Sequence, residues 1–201
     1  QLDKRRLVLT AGNVPVLDIF NAVEYGQDPR TQFLNWSFLT HGAFDYAADA
    51  RGYTWGAAVE YYDGDWAYRV GRFTQPQDSN GLPLDTRIAR HYGDVFEVER
   101  SHTLAGEPGK LRVMLFRNKS VMGRYDDALS LGQSTGAAPD ISLVRRDTTK
   151  VGVGIGGGDR AFYLVLGSAA GGFGAVSLFA GISGLRRSDD ATVESVPDED
   201  A

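Results

Sequence analysis

Glu60, Arg69, Glu97, Glu99 and Arg112 each stand at a polar position in a segment whose alternate positions are apolar. Carboxylates and guanidinium groups on one face form a wall of acceptors and donors. A wall of mixed sign suits a neutral, polyhydroxylated ligand, whereas an Arg-only wall would mark an anion or phosphate pore. A second set lies between positions 27 and 52: Arg30, Asn35, Trp36, Asp49 and Arg51, interleaved with Phe33, Phe44 and Tyr46. There the rings can stack on the apolar face of a ligand while Asn, Asp and Arg bond its hydroxyls. Arg72 and Arg90 complete the candidate set. Two structural alternatives stand beside this reading. The charged faces could be the solvated side of a soluble sheet, and the segment 27–52 could be a packed cap with Phe33 and Trp36 at its centre.

Catalytic and metal chemistry find no comparable pattern. His41, His91 and His102 are dispersed, none in an H-E-x-x-H spacing, and there is no Cys. No G-x-S-x-G elbow occurs. The Gly-rich run from Gly152 to Gly158 lacks the Lys-Ser/Thr ending of a phosphate loop and alternates with Val151, Val153 and Ile155, which reads as a closely packed strand and turn. No enzyme activity, cofactor or metal is therefore expected. The net charge of −5 argues against a nucleic-acid partner. Only four of the 21 cationic residues are Lys, the rest being Arg. Arg holds a fixed planar fork of donors where Lys offers a mobile point charge.

The elements that must position these residues are strands. Tyr53, Trp55, Ala57, Val59 and Tyr61 alternate with Thr54, Gly56, Ala58 and Glu60, and Asp63-Gly64 then marks a hairpin turn. Trp66, Tyr68 and Val70 alternate with Ala67, Arg69 and Gly71. Further strands are expected at Leu7–Gly12, Val95–Leu104, Leu111–Arg117, Val151–Ile155, Ala161–Gly167 and Ala175–Ile182, about eight in all. The parity puts Trp55, Val59, Val113 and Leu115 on one side, with Glu60, Arg69, Glu97 and Arg112 on the other.

The connections carry the membrane argument. Short turns are expected at Asp63-Gly64, Ala105–Gly109 and Gly156–Asp159, and long links at 13–52, 75–94 and 118–149. Short and long links alternate through the first seven strands, so all the long ones fall at one end. Only the link at Gly171-Gly172 is short where a long one is due. Alternating links are the periplasmic-turn, extracellular-loop pattern of an outer-membrane barrel, whose strands need only about ten alternating residues each. Tyr53, Tyr61, Tyr62, Trp66 and Tyr68 near strand ends fit interfacial aromatic girdles. The expected fold is all-β: an antiparallel up-and-down outer-membrane-type barrel, or part of one, over residues 1–185. A mouth or constriction loop occupies 14–52, with Arg30, Trp36, Asp49 and Arg51 near one another. An acidic, disordered tail is expected over 186–201. Eight strands close around an interior just wide enough for side chains. A small closed barrel without a pore, and a soluble ligand-binding barrel, thus stay open beside a channel.

Three runs resemble carbohydrate-selective porins of the OprB-like type: Asp28-Pro-Arg-Thr-Gln-Phe-Leu-Asn-Trp36, Asp45-Tyr-Ala-Ala-Asp-Ala-Arg-Gly-Tyr-Thr-Trp-Gly56 and Trp66-Ala-Tyr-Arg-Val-Gly-Arg-Phe73. Asn80-Gly-Leu-Pro-Leu-Asp85 and Arg90-His-Tyr-Gly-Asp94 fit the same pattern, and the resemblance covers about residues 5–150. It implies passive diffusion of neutral sugars through a channel in the bacterial outer membrane, with membrane lipid around the strands. It also implies a truncated or shortened member, since Pro197-Asp-Glu-Asp-Ala201 is not the terminal aromatic strand of such barrels.

Overall fold

The computed structural model describes residues 3–22, 28, 30, 44–104, 106–159, 163–170 and 176–181. The expectations for Asn35, Trp36 and the tail 186–201 lie outside these residues. Eight strands run in chain order: β1 Arg5–Val14, β2 Thr54–Asp63, β3 Trp66–Phe73, β4 Tyr92–Leu104, β5 Glu107–Met122, β6 Arg146–Asp159, β7 Tyr163–Ala170 and β8 Val176–Gly181. Each pairs antiparallel with the next, in a single sheet of order β1 to β8. This is the up-and-down order of an outer-membrane barrel. Among the described residues β8 does not return to β1, so the eight strands form a wall and not a closed ring.

Period-two alternation builds this sheet because successive side chains point to opposite faces. In β3 the exposure alternates without a break, with Trp66, Tyr68, Val70 and Arg72 exposed and Ala67, Arg69, Gly71 and Phe73 buried. Trp55, Val59, Val113 and Leu115 are all exposed large side chains, while Arg69, Glu97 and Glu99 are buried. The expected facing is thus the observed one. A spin label at Val59 is expected to report lipid contact and one at Glu60 contact with water-borne reagents. Equal accessibility at the two sites would contradict the facing. Slipping the register by one would put the charges in hydrocarbon at roughly 2–4 kcal/mol for each Arg near the midplane.

Several boundaries differ from those expected. Only residues 105 and 106 separate β4 from β5, so Pro108 and Gly109 pair within the ladder, opposite Thr103 and His102. The run Gly156–Asp159 continues β6, opposite Arg112 to Gly109, instead of turning. Glycine suits it because Gly152, Gly154 and Gly156 stand opposite Phe116, Met114 and Arg112, whose side chains need the inward space. The third long link contains a helix, α1 Tyr125–Thr135. Its first turn carries Asp126 and Asp127, which favour a helix N-terminus, and Gly136 ends it at φ 69°. Asp127 forms an ion pair with Arg146 at 2.6 Å, tying the helix to the start of β6.

The long link after β1 packs against the inward face. Val16, Ile19, Phe20, Phe44 and Ala47 join Ala58, Phe73, Val95, Met114 and Phe116 in one buried cluster. Phe20 meets Phe73 edge to face at 6.0 Å, and Phe44 meets Phe116 at 5.3 Å. Gly71 makes the first contact possible, since a Cβ there would stand 2.7 Å from the Phe73 ring and 3.0 Å from Phe20. Both ends of the link thus lie on the wall's inner side.

Candidate functional site

The inward polar face is set by register. Glu60 stands opposite Arg69 across β2 and β3, and Arg69 opposite Glu97 across β3 and β4. Glu99 stands opposite Arg112 across β4 and β5. Cross-strand neighbours of opposite sign attract, and here the side chains meet. Arg69 donates from Nη1 to Glu97 Oε1 at 2.7 Å and to Glu99 Oε2 at 3.2 Å, and from Nε to Glu60 Oε2 at 3.1 Å. Glu99 also accepts from Arg112 Nε at 2.7 Å and from Lys110 Nζ at 2.8 Å. Three carboxylates therefore face three cations, and no sign dominates.

This network also reaches the loop. The backbone N–H of Asn21 donates to Glu97 Oε2 at 2.6 Å. Asn21 adopts φ 57°, a left-handed conformation that Asn tolerates better than most residues. Glu97 is fully buried beneath this contact. The ladder that the sequence suggested as an open lining is, around Arg69 and Glu97, a packed anchor for the link after β1. Glu60 and Arg112 stay partly accessible, and the Lys110 side chain is half exposed.

Two expectations about facing require correction. Arg72 does not share the lumen side with Arg69. It lies three residues along β3 and so on the opposite face, with Tyr68 and Val70. Tyr62 is not part of an outer girdle. Its hydroxyl donates to Glu60 Oε2 at 2.6 Å, and the Arg6 guanidinium lies 3.7 Å from its ring centre. At the short-turn end Trp66 and Tyr68 stack at 6.1 Å, with Tyr61 at 6.4 Å from Tyr68.

At the long-loop end, two local motifs repeat. In Asp49-Ala-Arg51 the Arg backbone N–H donates to Asp49 Oδ1 at 2.8 Å and Arg51 Nη2 donates to Oδ2 at 2.6 Å. In Asp85-Thr-Arg87 the corresponding distances are 3.0 and 2.6 Å. Each motif buries a carboxylate and presents an exposed guanidinium. Asp28 and Arg30 share the spacing, and the Arg30 N–H donates to Asp28 Oδ1 at 2.8 Å. Of the four residues expected near one another, Asp49 and Arg51 are joined directly, and Trp36 lies outside the described residues. Sequence reasoning passed over Asp85, Arg87, His91 and Lys110. The repeated Asp-x-Arg spacing was the signal that could have found the first two.

Arg90 and His91 close the link between β3 and β4 onto β6. Arg90 Nη2 donates to Asp147 Oδ2 at 2.8 Å. The buried His91 ring lies between Asp85 Oδ2 at 2.5 Å and Asp147 Oδ1 at 3.1 Å. The Arg87 guanidinium, with His91 and the Arg87 N–H, holds the Asp85 carboxyl well below the usual carboxylate range. A lowered folded pKa contributes stability that is present above the unfolded value, about 3.9, and lost as pH falls further. Hydrogen-exchange protection factors in residues 74–91 are therefore expected to hold from pH 7 down to about pH 4 and to fall below it. In Asp85→Asn that acid dependence should shrink and exchange at pH 7 should rise. An acid profile unchanged by the substitution would assign the closure to other groups. Among the described residues, no group of three or more metal-ligating side chains could hold an ion.

The sequence matches the family model of the OprB carbohydrate-selective porins over residues 1–193. The chain belongs to this family. Membership places the chain in the bacterial outer membrane, in a family of transport channels. No curated protein matches the sequence. Among solved structures, the fold is similar to that of OprB from Pseudomonas putida in its high-pH structure, with a TM-score of 0.61 at 16% identity. The match covers 87% of this chain and 44% of that one, so the chain spans less than half the length of its structural neighbour.

Proposed function

We propose that this chain supplies wall and constriction to a passive outer-membrane channel for neutral sugars. The observation that carries the proposal is the balance of sign on the inward face, where Glu60, Glu97 and Glu99 are matched by Arg69, Arg112 and Lys110. A sugar offers many hydroxyls and no charge, so it gains from donors and acceptors of both kinds and is not trapped by either sign. In this reading the Arg69–Glu97–Glu99 centre holds the inner link in place. The sugar meets Arg51, Arg90, Glu60 and Arg112, with Arg30, Asn35 and Trp36 contributed by the loop. Asp49 works through Arg51, whose guanidinium it fixes.

Liposome swelling tests this. Neutral monosaccharides should permeate faster than sugar phosphates of similar size. Faster phosphate uptake would overturn the sugar reading. Uptake of neither would favour a closed wall, which the apolar contacts of Phe20 and Phe44 on the inner face would then explain.

A further inference from the structure

One charged cluster lies on the outward side, where the sugar path cannot use it. Arg72, Asp94 and Arg117 stand side by side across β3, β4 and β5, and Val151 continues the row on β6. Arg72 donates from Nε to Asp94 Oδ1 at 2.6 Å and from Nη2 to Oδ2 at 2.9 Å, and Arg117 Nη2 donates to Oδ2 at 2.8 Å. Both guanidinium groups also lie over Tyr92, at 4.2 and 5.0 Å from its ring centre. Two cations share one anion, so the cluster keeps a net positive charge. Each guanidinium has five N–H donors, of which Asp94 takes two from Arg72 and one from Arg117. Both side chains are about half exposed.

Position along the strands gives these spare donors a partner. The row Trp66–Arg100 marks the short-turn end, with Arg100 5.2 Å from the Trp66 ring centre. Arg72 lies six residues further along β3, or about 20 Å along the strand. With strands tilted by about 35–45° that is about 15 Å of an outward apolar band about 25 Å tall, and the next outward row, Tyr92, Lys119 and Thr149, is polar, so the cluster lies at the long-loop edge of the apolar face, where a lipid-facing charge costs less than at the midplane. Toward the membrane centre, the cluster adjoins an open groove of about 560 Å³ floored by Val59, Val70, Phe96, Leu115 and Val151. A cationic fork above an apolar groove matches a phosphate carried on acyl chains.

The geometry points to a binding site for a phosphorylated lipid of the outer leaflet. Arg72 and Arg117 clamp its phosphate, Asp94 orients both forks, and an acyl chain lies along the groove. Two-pronged guanidinium contact is the strong form of phosphate recognition. The inference rests on the outer-membrane placement of the sheet's outward face, and not on conduction.

The test is lipid retention by the purified chain, read by native mass spectrometry with diphosphorylated lipid A and its dephosphorylated form as probes. Retention does not depend on sugar flux, so a non-conducting chain still answers. The diphosphorylated form should bind more tightly, and Arg72→Gln with Arg117→Gln should weaken it by about tenfold or more. Asp94→Asn should strengthen binding by freeing donors, which keeps the test decisive if the double variant fails to fold. Equal retention of both lipids, or no response to either variant, would overturn the assignment. Equal competition by inorganic phosphate would deny the lipid source. A change of oligomeric state with no change in lipid retention would make this face a subunit contact instead.

Discussion

Replacing Arg69 with Met is expected to lower the stability of the sheet by about 3–5 kcal/mol, the cost of leaving buried charges without a counterion. Arg69 is bonded to Glu60, Glu97 and Glu99 together, and its side chain is only 8% exposed. Met keeps much of the volume, so the loss reports charge and not a cavity. Glu99 retains Arg112 and Lys110, whereas Glu97 retains only the Asn21 N–H among the described residues. Adding Glu97→Gln to Arg69→Met should therefore recover a large part of the loss, because the carboxylate left without a cation is then gone. Unfolding in urea, followed by the heat-dependent shift in gel mobility typical of barrels, measures both variants. If the double variant is as unstable as the two single losses summed, the pair is not coupled and the ladder is not an anchor.

Phe20→Ala carries the second large effect, about 3–5 kcal/mol for a fully buried ring. Phe20 is fully buried and meets Phe73 edge to face. It is the apolar half of the attachment whose polar half is Asn21 on Glu97. Losing it should free the link between β1 and β2 from the wall, which would show as faster proteolysis within 15–53 and higher single-channel conductance in planar bilayers. Leu82→Ala, on an exposed side chain of the next long link, serves as the comparison and should change neither. Unchanged protection of 15–53 in Phe20→Ala would mean that other contacts hold the link.

The strands were legible because their signal is local. Alternation at Thr54–Asp63 and Trp66–Phe73 needs only that neighbouring side chains point to opposite faces. The turn at Asp63-Gly64 was legible for the same reason, and Gly64 takes φ 60° there. Even the facing of Arg72 was available, since it shares parity with Tyr68 and Val70. Its charge argued for the lumen, and parity decided otherwise. The glycine-rich stretch Gly156–Asp159 was read as a turn because glycine marks both turns and crowded strands. Only the partners on β5, Arg112 among them, show that it is a strand.

By itself, then, the sequence determined the strand content, the inward set Glu60, Arg69, Glu97 and Arg112, and the long-loop end of the sheet. Each follows from periodicity or spacing within a few neighbouring residues. The tertiary structure decided which charges meet and what they hold. Arg69 reaches three carboxylates only because β2, β3 and β4 lie in one register, and register is a property of paired strands. Asn21 on Glu97 and Phe20 on Phe73 join residues more than fifty positions apart, and no local pattern encodes a contact closed by the folding of a long link over a finished sheet.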